Sequence, residues 1–177
     1  MISYRKKSDV YFFTATNLNW LKLLDNNDHK NIILNSLLFL VENKRVVILA
    51  FVIMPNHIHL IWKIENGHKK EEIQRDFLKF TAQQIKFNLV KIDSNFLDDI
   101  LVNAKDRRYQ IWERNPLWFE LDNTNTLLQK LNYIHKNPLH KKWFLSELAE
   151  DYPFSSANFY MTGKDDFGFL THYETIM

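Results

Sequence analysis

Apolar positions recur along the chain with two periods, two residues in some stretches and close to 3.6 in others, and these separate strands from helices. The run VYFFTAT, Val10–Thr16, is rich in aromatic and β-branched residues and predicts a buried strand. Across residues 28–43, Ile32, Ile33, Leu37, Leu38 and Val41 recur near helical spacing and predict a helix. Residues 45–53 and 58–64 are strand-like, and the Met54-Pro55-Asn56-His57 step between them favours a turn, so the pair reads as an antiparallel hairpin. Ile73, Phe77, Phe80, Ile85 and Leu89 then set out a long amphipathic helix over residues 69–89. After a polar, less regular stretch, residues 107–112 (RRYQIW) predict a short strand. Residues 125–136 predict a third helix, with Asn123 or Thr124 as its N-cap. The order strand, helix, strand, strand, helix, strand is the split βαβ, or ferredoxin-like, pattern. It implies an α+β fold with one antiparallel sheet and helices packed mainly on one face.

Composition narrows the class. Nothing repeats and no Pro/Gly/Ser-rich linker divides the chain, and 177 residues with 46% apolar content suffice for one core. The expectation is a single domain over residues 1–177, with 144–177 as a C-terminal extension packed on it. The apolar run Val46–Met54 spans 9 residues, about half of what a membrane-spanning helix needs. The N-terminal MISYRKKSDVYFF has no long apolar stretch and no small-residue cleavage site, so a cytoplasmic protein is expected. With no cysteine, any metal must be held by His, carboxylate or amide groups. The formal net charge of +2 argues neither for nor against a polyanionic partner, but the charges are clustered. Lys105, Arg107, Arg108 and Arg114 form one basic group, and Lys130, His135, Lys136, His140, Lys141 and Lys142 form another. Acidic residues gather elsewhere, at Asp93, Asp98 and Asp99 and at Glu147, Glu150 and Asp151. Each basic group is either an anion-binding surface or a solvated face.

Two motifs carry chemistry. His57-Ile58-His59 opens the second hairpin strand, where residues two apart point to one face, so both imidazoles project together as a two-point metal clamp. Such a pair is weak evidence alone, and two core histidines with backbone partners are the alternative. Its setting between apolar runs adds weight, because polar rings buried without partners are costly. A histidine-triad hydrolase is set aside, since that motif needs a third alternating His and position 61 is Ile. On the third helix, Tyr133 and Asn137 stand one turn apart and offer a nucleophile and a neutral oxygen ligand. Pro138 disfavours helical geometry at Asn137, which makes that facing approximate. A tyrosine that only packs is the alternative for Tyr133.

FVIMPNHIHLIW resembles the HUH hairpin of the single-tyrosine transposases, and NYIHKNPLHKKW resembles the tyrosine-bearing helix of their REP-associated branch. VYFFTAT is similar to the first strand of that family, FLKFTAQQI to its second long helix, YQIWER to its fourth strand and YPFSSANFYMTG to its C-terminal segment. The similarity spans nearly the whole chain in the family's order. Two stretches depart from it. Leu139-His140-Lys141-Lys142-Trp143 replaces small residues and Gly after YIHKNP, and NPLWFELDN replaces a His-containing stretch. Neither departure removes an active-site residue, but both bear on how DNA is docked.

The resemblance implies a transposase that cleaves and rejoins single-stranded DNA near hairpins. Tyr133 would attack phosphorus to form a 5′-phosphotyrosine link and release a 3′-hydroxyl. His57, His59 and the Asn137 side chain would hold Mg²⁺ or Mn²⁺, although a Glu or Gln elsewhere is an alternative third ligand. No residue is marked as the base for the phenol. Arg107, Arg108, Trp112 and Arg114, and Lys136, His140, Lys141 and Lys142 beside Trp143, are candidate DNA contacts of the basic and aromatic kind that single strands favour. Trp112 is the more readily explained of the two tryptophans as core. A nucleoid-associated protein acting as monomer or homodimer is expected. A hairpin-binding protein without turnover and a relaxase-like nickase are the alternatives.

Overall fold

The computed structural model describes residues 9–176. The first eight residues, and with them most of the segment read as lacking a leader, lie outside the described residues. β1 (Val10–Thr16) runs into two short 3-10 turns and α1 (Asn27–Glu42), and β2 (Val46–Met54) and β3 (His57–Ile64) form the hairpin. α2 (Lys70–Lys91) and the short α3 (Phe96–Asp99) follow, then β4 (Leu101–Ala104), β5 (Arg107–Tyr109) and β6 (Leu117–Glu120). α4 (Thr124–Lys136) and α5 (Ala157–Thr162) complete the helices. The main sheet has the order β2-β3-β1-β6 with every neighbouring pair antiparallel, which is the split βαβ arrangement.

Alternation along the strands divides the core into two layers. Tyr11, Phe13 and Ala15, with Ile58, Leu60 and Trp62, point towards α1 and α2 and pack on Ile33, Leu37, Phe77 and Ile85. Val10, Phe12, Val52 and Ile61 point the other way and pack on Leu127, Leu131 and Ile134 of α4. The two long helices therefore share one face, while α4 occupies the opposite one. Burying those three α4 side chains contributes roughly 1.5–3 kcal/mol each.

The fourth strand differs from its expected place. Residues 107–109 pair with β4 in a separate two-stranded ribbon, and the chain touches the end of β1 only through an isolated bridge from Trp112 to Asn17 and the Glu113 N–H donating to the Thr16 carbonyl. Asn115 then takes a left-handed backbone, φ 60°, and Pro116 has no N–H to donate, so the ladder breaks. Pairing with β1 resumes at Leu117–Glu120, which is the true edge strand. The opposite edge, β2, is covered by the C-terminal segment. Val52 bridges Ser155, Ile48 bridges Leu170, and Tyr152 Oη–H donates to the Ile53 carbonyl at 2.7 Å.

Candidate active site

The sheet face under α4 changes character towards the end of β1 and the start of β3. Val10, Phe12 and Ile61 are apolar there, whereas Thr14, Thr16, His57 and His59 put hydroxyls and imidazoles on the same face. The register sets Thr14 opposite His59 and Thr16 opposite His57. α4 covers the apolar part and carries its C-terminal turn over the polar part. Its start is fixed by Asn123, whose side chain accepts from the Thr126 N–H at 2.9 Å. Asn137 keeps helical angles, φ −57° and ψ −44°, despite Pro138, because the helix tightens into a 3-10 turn at Asn137–Leu139.

Between sheet and helix lies a cleft of about 840 Å³ lined by His57, His59, Tyr133 and Asn137 together with Lys130, Lys136, His140, Lys142 and Trp143. The His57 and His59 ring centroids are 4.7 Å apart, and the Tyr133 ring lies 5.2 Å from His59 at 66°. Tyr133 is 50% exposed, while His57 and His59 are 8% and 5% exposed.

Hydrogen bonds orient both imidazoles. His57 Nδ1–H donates to Asn56 Oδ1 at 2.7 Å, and the Asn56 amide is itself fixed because its Nδ2–H donates to the Trp20 carbonyl at 3.1 Å. That tautomer leaves a lone pair on His57 Nε2. His59 Nδ1 shares a 2.7 Å hydrogen bond with the Thr14 hydroxyl, and its buried Nε2 has no partner among the described residues. The Asn137 side chain is within hydrogen-bonding reach of His57. Burial pushes His59 down to about 3, reinforced by the charges of His57 and Lys130. Burial likewise pushes His57 down to about 4, opposed by Asn137 and reinforced by Lys142. Both rings are therefore neutral at neutral pH, the form that ligates a metal. An orphaned ring nitrogen beside a second oriented imidazole and an amide fits a divalent ion. Among the described residues no group of three His, Cys, Asp or Glu could hold one, and Asn137 also lines the cleft.

The remaining candidate residues divide between two surfaces. Lys136, His140 and Lys142 line the cleft, and Lys141 is exposed outside its lining. Arg107 and Arg114 line a second cavity of about 670 Å³, where both pair with Asp106. Arg108 is exposed, with its guanidinium 5.5 Å from the Tyr109 ring. Trp112, grouped with the DNA contacts from sequence, is instead a core residue, 6% exposed, with its indole N–H donating to Thr81 Oγ1 at 3.1 Å. Sequence reasoning missed Thr14, Asn56 and Trp20, and gave Lys130 no place in the site. Lys130 Nζ lies 5.8 Å from the Tyr133 ring centroid, and its position three residues earlier on the helix was a readable signal.

No family model and no curated protein matches the chain. Solved structures do match it. A REP-associated tyrosine transposase bound to a REP hairpin has a TM-score of 0.66 at 20% identity, covering 94% of this chain and 88% of that one. A provisionally named transposase from Deinococcus radiodurans R1 has a TM-score of 0.50 at 12% identity, covering 72% of this chain and 88% of that one. At these identities the likeness is one of fold. The first neighbour represents the branch that the sequence motifs resemble, and the α+β sheet with its helices is the fold the two have in common. Among the described residues no helix is long and apolar enough to cross a membrane.

Proposed function

We propose that the chain is a transposase that cleaves and rejoins single-stranded DNA beside a hairpin, with Tyr133 as nucleophile. The observation that carries this reading is the convergence of two elements. The Tyr133 ring from α4 contacts the His59 ring from β3, whose Nε2 has no hydrogen-bond partner among the described residues. The Tyr133 oxygen would attack phosphorus, forming a 5′-phosphotyrosine bond as the bond from phosphorus to the 3′ oxygen breaks and the 3′-hydroxyl leaves. One phosphoester replaces another, so rejoining needs no nucleotide cofactor.

His57 Nε2, His59 Nε2 and the Asn137 side chain would hold Mg²⁺ or Mn²⁺. A divalent ion held there would polarise the scissile phosphate and offset the charge that develops on its oxygens. Thr14 and Asn56 keep the two rings turned towards the cleft. Lys130, beside the phenol ring, and Lys136 and Lys142 attract the phosphate backbone. Among the described residues the lining includes no Asp or Glu, which suits a polyanion.

The hairpin substrate is proposed by extension from the structural neighbour, which is bound to one. Arg107, Arg108 and Arg114, outside the cleft, are proposed as contacts for the duplex stem. All the donors of the centre belong to one copy of the chain, which supports a monomer as the active unit. A DNA substrate would bring the protein to the nucleoid.

The test is to incubate the protein and its Tyr133→Phe variant with labelled single-stranded hairpin DNA and Mn²⁺, then resolve the products under denaturing conditions. The expected result is a covalent protein–DNA adduct with the parent alone. If both proteins bind the hairpin and neither forms an adduct, the chain is a hairpin-binding protein without turnover.

A further inference from the structure

We propose that Trp20 is a stacking platform for a nucleobase of the single strand flanking the scissile phosphate, an inference that rests on the DNA reading above. Trp20 lines the same cleft, yet its indole is 62% exposed. Its backbone is left-handed, φ 58°, as is that of Asn19 before it, φ 52°. Two successive non-glycine residues in this region are strained, most of all where one is a bulky aromatic.

The surrounding structure maintains that strain. Trp20 N–H donates to the Asn17 carbonyl at 3.0 Å, Asn19 N–H donates to Glu113 Oε1 at 2.7 Å, and Asn56 Nδ2–H donates to the Trp20 carbonyl at 3.1 Å. Packing does not explain the arrangement, because the ring held in place faces solvent. Asn56 also ties the platform to the reacting centre, since the other end of the same amide accepts from His57 at 2.7 Å. A movement of the Trp20 loop is thereby registered to the imidazole that would ligate the ion.

The chemistry around the ring selects its occupant. Lys142 Nζ lies 5.8 Å from the Trp20 ring centroid and 5.3 Å from that of Trp143, and the Trp143 ring lies 6.0 Å from His57. Indole faces interleaved with ammonium groups suit a base and its phosphate, which is how single strands are held without reading their sequence. A purely apolar ligand or an acidic protein would use only half of that chemistry.

The experiment uses the Tyr133→Phe protein in Mn²⁺ buffer, so that no cleavage occurs, and measures by anisotropy its affinity for a hairpin with and without a single-stranded tail. Adding Trp20→Ala is expected to weaken binding of the tailed hairpin roughly five- to hundredfold and to leave the tailless hairpin unaffected. Trp20→Phe should retain most of the affinity. An abasic nucleotide at one tail position should cost the Trp20 protein a similar factor and the Trp20→Ala protein nothing further. Trp20→Gly, which suits the left-handed backbone, should raise the unfolding midpoint while losing tail affinity, so loss of binding is separated from loss of fold. Unchanged affinity for the tailed hairpin, or an equal loss for both DNAs, overturns the inference alone. So does a dimer that Trp20→Ala dissolves without changing DNA affinity, which would assign the ring to a second copy. A parent protein that binds neither DNA overturns the DNA reading and this inference with it.

Discussion

His59 carries two opposed requirements in one ring: its Nδ1 is engaged by Thr14, and its buried Nε2 has no partner among the described residues. A neutral imidazole satisfies both when Nδ1–H donates to the hydroxyl and the Nε2 lone pair is kept for an ion. Thr14→Val removes that acceptor while preserving the β-branched shape. It is expected to weaken Mn²⁺ binding roughly 10- to 100-fold with the fold retained, as read by calorimetric titration. Unchanged affinity would mean that the hydroxyl does not orient the ring. Asn56 does the same for His57, and its second hydrogen bond makes it the more demanding position to replace.

The element that brings the phenol to the imidazoles is α4, which is held by its Asn123 cap, by buried Leu127, Leu131 and Ile134, and by a hydrogen bond between His135 Nε2 and Ser156 Oγ at 2.9 Å. Asn123→Ala removes the cap from the Thr126 N–H and should cost about 1 kcal/mol in urea unfolding. A loss indistinguishable from zero would mean that tertiary packing alone fixes the start of the helix. How much of this was legible in the sequence follows from pattern strength. The hairpin, the three main helices and the shared direction of His57 and His59 were readable because their apolar alternation is long and regular. The edge strand β6 was not, because it is short, and Leu117 and Phe119 are exposed, leaving Trp118 as its inward apolar residue. Residues 107–112 gave the stronger strand signal because Ile111 and Trp112 are buried, but they pack in the core without extending a ladder. Thr14 became identifiable as a partner of His59 only through the register between β1 and β3. Trp20 was silent because no local pattern announces a left-handed tryptophan.

For the molecule as a whole, the polar lining of the site has a measurable consequence for stability. Burial lowers His57 to about 4, His59 to about 3 and His135 to about 4, from an ordinary value of 6.5. In the metal-free protein the unfolded chain takes up protons on these rings below pH 6.5, while the folded chain resists them until near pH 4. Stability therefore rises with pH across that window and is flat above it. At one pH unit below the unfolded value the loss should be roughly 1 kcal/mol per ring, read as a fall in the urea midpoint. A midpoint constant across the window would mean that the rings are not buried in neutral form. The net charge of +2 understates the cleft, where Lys130, Lys136 and Lys142 face a lining free of acidic side chains. The central claim, that the phenol of α4 becomes bonded to DNA, is tested most directly on the peptide that contains it. Trypsin cutting after Lys130 and Lys136 releases LNYIHK, in which Tyr133 is the sole tyrosine. After reaction with hairpin DNA and Mn²⁺, then nuclease and trypsin digestion, mass spectrometry should find a phosphonucleotide on Tyr133 in that peptide. A nucleotide on another peptide, or none on any peptide under conditions where the hairpin is cut, would contradict the account.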